Sequence, residues 1–252
     1  MSSKKYKSCI LTSYLTLKRH PQCMDINNKI LGIDGSGRVI SDSFSYIEAF
    51  YNSVKGKDIE VVIFHDSLSK GFTEAYRAEN ISFERVPRSS YSNNDYRFMY
   101  YLSWLRLNKY TNVFMTDVAD VTISSPLSEI SIDCDIFFCG DSIKLKDYMF
   151  ESTKYISLHE RFNWDNIDSF RDPSLDLLNM GVIGSNYSNA IKFLALFTEH
   201  RIKCGHPELN INMSLGNYIA RNFFGSVKSG APYCSVFKKY QKERKDVFFI
   251  HK

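Results

Sequence analysis

No window of the sequence approaches 18 consecutive apolar residues, so nothing in it reads as a helix that spans a bilayer. No internal repeat, low-complexity tract or Pro/Gly linker divides it, and its composition excludes a disordered tail or a fibre. None of the six cysteines pairs with another at two-residue spacing, so a cysteine metal or redox motif is not expected. The formal net charge is only +4, too small to argue for a nucleic-acid partner. Residues 1–7 are charged, but Thr, Ser and Tyr interrupt the apolar run at 9–17 and no small-residue cleavage site follows. The start therefore does not read as a signal peptide.

What is present is the material of a core. Over 252 residues, 44% are hydrophobic and 24% charged. A chain of that size buries roughly 70–75% of its unfolded surface, enough for a core with a ligand cleft without disulfides. Residues 1–252 are expected to form one domain. Cysteines in apolar runs such as 134–139 read as reduced, buried thiols, which favours a cytoplasmic, reducing compartment. Aromatic residues make up 15%, which fits either a sugar- or nucleotide-binding surface or a Phe- and Tyr-rich core. One run, 238–245, carries five cations and one anion. It reads either as a solvated loop or helix face, or as a surface for anionic lipid or phosphate.

Short apolar strands alternate with helical patterns through the first half. Residues 8–13 read as a strand, 43–54 as a helix and 58–65 as a second strand, nearly continuous in apolar character. Such runs suit parallel strands buried on both faces. A helix over about 69–77 and a strand over 81–86 follow. In 94–108, Phe98, Tyr101, Leu102 and Leu105 form the stripe of an amphipathic helix, with Asn94 as the expected N-cap and Asp95 in the first turn. Residues 112–116 form a short buried strand that stops at Asp117. This alternation predicts an α/β fold with a mixed, mainly parallel sheet flanked by helices, Rossmann-like in class. Ligands of such sheets collect outside the carboxyl ends of the strands, which directs attention to 12–14, to His65 and Asp66, and to 117–120.

The segment Asp117-Val-Ala-Asp120 is the most informative local feature. Carboxylates three apart in a straight strand point to opposite faces, so a turn or bulge must intervene if the two are to converge. Convergent carboxylates repel one another unless a cation lies between them, and hard divalent ions such as Mn²⁺ or Mg²⁺ prefer oxygen ligands. The plainer reading is an Asx-type turn between two strands. An aspartate-nucleophile phosphatase needs its acids two apart and fails on register.

Taken together, several segments resemble the GT-A-fold, nucleotide-sugar-dependent glycosyltransferases. Residues 116–121 (TDVADV) resemble their acidic motif in an Asp-x-x-Asp variant, where the usual spacing is Asp-x-Asp. Residues 178–184 (LNMGVIG) are similar to their downstream Asn-x-Gly-Val strand, and 208–218 (ELNINMSLGNY) to the acidic approach to a helix ending in Leu-x-Asn. Residues 248–252 (FFIHK) are similar to a final strand ending in a metal-binding His followed by Lys. The resemblance spans nearly the whole chain. It implies a nucleotide-binding half over 1–123 and an acceptor-side half over 124–252.

By position, the resemblance implies Asp120 and His251 as ligands of a Mn²⁺ or Mg²⁺ ion, with Asp117 supporting the ion or meeting the donor ribose. Lys252 would neutralise the diphosphate. Thr12, Ser13 and Tyr14 would line the nucleobase pocket, Asp66 would lie at the donor site, and Arg97 would face the donor phosphates or sugar. Asn179 and Gly181 would border the sugar, and Glu208 or Asp176 would serve as the base of an inverting reaction. A retaining reaction needs a base less. The expected activity moves a sugar from a nucleotide diphosphate donor, a UDP-sugar, to a glycan or lipid-linked glycan, with peripheral membrane contact through 238–245. A non-catalytic sugar- or nucleotide-binding domain is the rival.

Overall fold

The computed structural model describes residues 6–19, 34, 36–151, 164–239, 241 and 243–252. The first strand, β1 (Ser8–Tyr14), lies centrally, flanked by β2 (Glu60–His65) and β4 (Asn112–Thr116), both parallel to it. Strand β3 (Ile81–Arg85) extends the sheet beyond β2. On the other side β4 pairs with β7 (Asp176–Asn186), β7 with β6 (Ile136–Lys144), and β6 with β8 (Val227–Ser229). Among the described residues the sheet order is β3-β2-β1-β4-β7-β6-β8, and β7 alone runs against its neighbours. The mixed, mainly parallel sheet expected from the sequence is therefore present.

Alternation along the strands builds two cores. Cys9 and Leu11 of β1 point to one face with Val62 and Phe64, while Ile10, Tyr14, Val61 and Ile63 point to the other. The first face is covered by α3 (Asn93–Leu107), α4 (Tyr187–Lys203) and α5 (Asn212–Phe223); the second by α1 (Phe44–Val54) and α2 (Lys70–Ala75). Phe98, Tyr101, Leu102 and Leu105 of α3 are all buried, as their spacing predicts. Much of the aromatic content is core: Phe98 packs against Phe197 at 4.5 Å, and Phe137 stacks on Tyr233 at 4.2 Å.

The N-cap of α3 is Ser92 rather than Asn94. The Ser92 hydroxyl accepts the Asp95 N–H at 3.3 Å, satisfying a first-turn donor and leaving Asn94 inside the helix. Asp95 turns inward to Arg201 of α4 at 2.7 Å, both fully buried. A small second sheet pairs β5 (Val121–Ile123) antiparallel with β9 (Phe249–His251). Among the described residues no helix is long and apolar enough to cross a membrane.

Candidate metal centre

The apolar strand β4 ends at the sheet's carboxyl edge, and Asp117 is the next residue. Its N–H donates to the Gly181 carbonyl at 2.8 Å, carrying the ladder with β7 one step past β4. The chain then turns through Val118 and Ala119, and β5 begins directly after Asp120. That turn brings onto one side two carboxylates that a straight strand would oppose. Strand β9 supplies the third group: Val121 pairs with His251, and the Lys252 N–H donates to the Asp120 carbonyl at 3.0 Å. One ligand atom each from Asp117, Asp120 and His251 lies within 4.8 Å of the others.

The imidazole is held from behind. The His251 backbone N–H donates to the Ser235 hydroxyl at 2.8 Å, and the ring packs on Phe237 at 4.3 Å. Only 1% of the residue is exposed. Its Nε2 stands 3.4 Å from Asp120 Oδ2, close enough for attraction but beyond a well-formed hydrogen bond. Among the described residues neither ring nitrogen, nor Asp120 Oδ1, has a hydrogen-bond partner although all three atoms are buried. Burial by itself would lower the His251 pKa; the Asp120 carboxylate and the Cys139 thiol outweigh it and push the value up to about 10.

Gly181 makes the convergence sterically feasible. A Cβ there would collide with the His251 ring and stand 2.7 Å from Nε2 and 2.9 Å from Asp117 Oδ2. The glycine thus makes room for two of the three groups, a tighter constraint than the sugar-bordering role implied by the sequence. Asn179, two residues earlier, accepts the Gly181 N–H at 2.8 Å and donates to Asp141 Oδ2 at 2.8 Å.

Arg97, expected to face the donor, reaches the centre through Asp117. Its guanidinium is buried and donates to Asp117 Oδ1 and, at 3.0 Å, to the Met180 carbonyl. Burial works against its charge, but Asp117 outweighs burial and holds the pKa above the ordinary value. The side chains of Thr12 and Tyr14 also point inward, because these two positions face the α1–α2 core. The Thr12 hydroxyl donates to the Thr116 carbonyl at 2.8 Å, and the buried Tyr14 hydroxyl reaches the carbonyls of Ile40 and Ser43. Only Ser13 of the three stays half-exposed. The Asp66 carboxylate accepts the backbone N–H groups of Thr16 and Leu17 at 2.9 and 3.0 Å, so it shapes the loop after β1.

The two expected bases lie apart from the centre's own contacts. Asp176, at the start of β7, is exposed and paired with Lys144 at 2.6 Å. Glu208 lies before α5 with its side chain 67% exposed, next to His206. In the basic run, Lys238, Lys239 and Lys245 are exposed, and Arg244 pairs with Asp246 at 2.8 Å. Tyr240 and Lys242 lie outside the described residues.

Sequence reasoning missed Ser235, Phe237, Cys139 and Asp141, none of which sits in a motif. Cys139 contacts His251 and gives its S–H to the Ser235 carbonyl at 2.9 Å. Its only sequence signal is the apolar run that reads as core.

No protein-family model matches the chain, and no curated protein matches it either. The case for a metal rests on the donor set. Two carboxylates and one imidazole are a donor set able to hold a divalent metal ion, and the orphaned atoms of Asp120 and His251 are those a cation would engage. The residues fit such an ion.

Proposed function

We propose that the chain is a metal-dependent glycosyltransferase that transfers a sugar from a nucleotide diphosphate donor, a UDP-sugar, to a glycan or glycolipid acceptor. The observation that carries this reading is the meeting of Asp117, Asp120 and His251 at the carboxyl edge of a mainly parallel sheet. The GT-A resemblance of the sequence supports it. Mn²⁺ or Mg²⁺ held by Asp120, His251 and Asp117 would supply a Lewis acid for charge developing on a departing diphosphate.

The chain's own residues have separable tasks. Ser235 and Phe237 fix the imidazole, and Gly181 admits it. Lys252, tied through its backbone to Asp120, would supply the cation that neutralises the diphosphate. Asn179 and Asp141 present polar groups beside Gly181 for sugar hydroxyls. Lys238 packs over Phe237 at 5.3 Å, so the basic run starts beside the ring that supports His251, and it would favour a phosphate-bearing acceptor.

The test is Mn²⁺-dependent binding and hydrolysis of UDP-sugars by the wild type and Asp120→Ala. The reading expects both in the wild type and neither in the variant; a wild type indifferent to Mn²⁺ overturns it. Asp176 and Glu208 are exposed and paired away from the three ligands, which leaves room for a second reading, a binding domain without turnover. Asp120-dependent UDP binding without donor hydrolysis under any divalent metal decides for that second reading.

A further inference from the structure

The buried guanidinium of Arg97 spans the two strands that frame the centre, reaching Asp117 after β4 and Met180 of β7 on either side of Gly181. It holds one oxygen of Asp117. The other, Oδ2, lies against the space beside Gly181 that His251 Nε2 also borders. We propose that Arg97 is a built-in counter-cation: it limits Asp117 to one oxygen for a divalent ion and keeps the bare centre a weak metal site until a polyanionic ligand joins. This rests on the metal reading above.

The charges make the case. With His251 neutral, as a metal ligand must be, the centre has two carboxylates, Asp117 and Asp120, and one guanidinium against them, so a doubly charged ion is not balanced by these groups alone. Arg97 has only 7% of its side chain exposed, so solvent and salt screen its charge poorly. A diphosphate supplies the missing negative charge, so metal and diphosphate should each tighten the other's binding by the same factor. Arg97 is therefore a positioning and affinity-setting residue. A purely structural role would only orient Asp117, and losing it would weaken the metal site.

The experiment is a Mn²⁺ titration of the full chain, read by the EPR signal of the free ion, with and without UDP. It compares the wild type with Arg97→Gln, Arg97→Lys and Asp120→Asn. UDP is expected to tighten Mn²⁺ binding to the wild type by about tenfold or more. R97Q should bind Mn²⁺ alone about tenfold more tightly than the wild type, because the opposing charge is gone. R97K, which keeps the charge, should behave like the wild type toward Mn²⁺ alone. The inference is overturned if R97Q binds Mn²⁺ alone no more tightly than the wild type, or if R97K gains as much as R97Q. Should R97Q fail to melt cooperatively, Asp117→Asn is compared with the R97Q/D117N double variant. The double variant must then bind Mn²⁺ the more tightly, and equal affinity overturns the inference. A wild type that takes up no Mn²⁺ even with UDP, or a D120N that binds it unchanged, removes the metal reading itself.

Discussion

Gly181 and His251 share one space: a Cβ on the glycine would stand 2.7 Å from the Nε2 of the imidazole. Strand β7 and strand β9 belong to different sheets, and they meet here because β7 carries no side chain at this position. The centre is built as much by that missing methyl as by its three polar groups.

Gly181→Ala should therefore displace the ring. We expect a folded protein destabilised by about 1–3 kcal/mol, the usual cost of overpacking. Mn²⁺ affinity should fall by about tenfold or more, as when a metal ligand loses its orientation. Gly71→Ala in α2, where the nearest neighbour of a Cβ is Ser69 Oγ at 3.9 Å, is the control. It should be neutral or stabilising by up to about 1 kcal/mol. Urea melts and a Mn²⁺ titration measure both.

Asp120→Ala and His251→Ala should abolish any rise in melting temperature on adding Mn²⁺ with UDP. In the wild type a ligand at 100 times its Kd adds about 2.7 kcal/mol of stability, and EDTA should remove that gain. Thermal melts with and without EDTA read the difference.

Ser235→Ala takes away the acceptor of the His251 N–H and the donor to its carbonyl. Leaving that buried backbone N–H unpaired should cost about 1–3 kcal/mol. Mn²⁺ binding should weaken with it, because β9 loses its anchor. An unchanged Mn²⁺ affinity would place the support of His251 elsewhere.

Arg201→Met breaks the most deeply buried ion pair among the described residues. Arg201 holds Asp95 at 2.7 Å and donates to the carbonyls of Gly205, His206, Pro207 and Leu209 at 2.7, 3.1, 3.3 and 2.9 Å. Removing it leaves the buried Asp95 carboxylate without its counter-charge and takes a donor from four carbonyls, so a loss of about 3–5 kcal/mol is expected in urea unfolding. Exposed Lys203, paired with Glu199 on the surface at 2.5 Å, should tolerate replacement by Ala within about 0.5 kcal/mol.

The sequence by itself determined the elements and where to look. Apolar runs predicted β1, β2 and β4, the stripe of Phe98, Tyr101, Leu102 and Leu105 predicted α3, and the acid following β4 marked the edge where the centre lies. Those features are local: side-chain periodicity and strand length register directly in the order of residues. Tertiary structure decided the rest. Strand pairing of Val121 with His251 places the imidazole at Asp120, and sheet packing turns Arg97 onto Asp117. It turned Thr12 and Tyr14 inward, left Asp176 and Glu208 at the surface, and recruited Ser235 and Phe237 from a segment without a motif. Which of two polar side chains meets a distant partner depends on contacts between remote parts of the chain, and neither spacing nor composition records those.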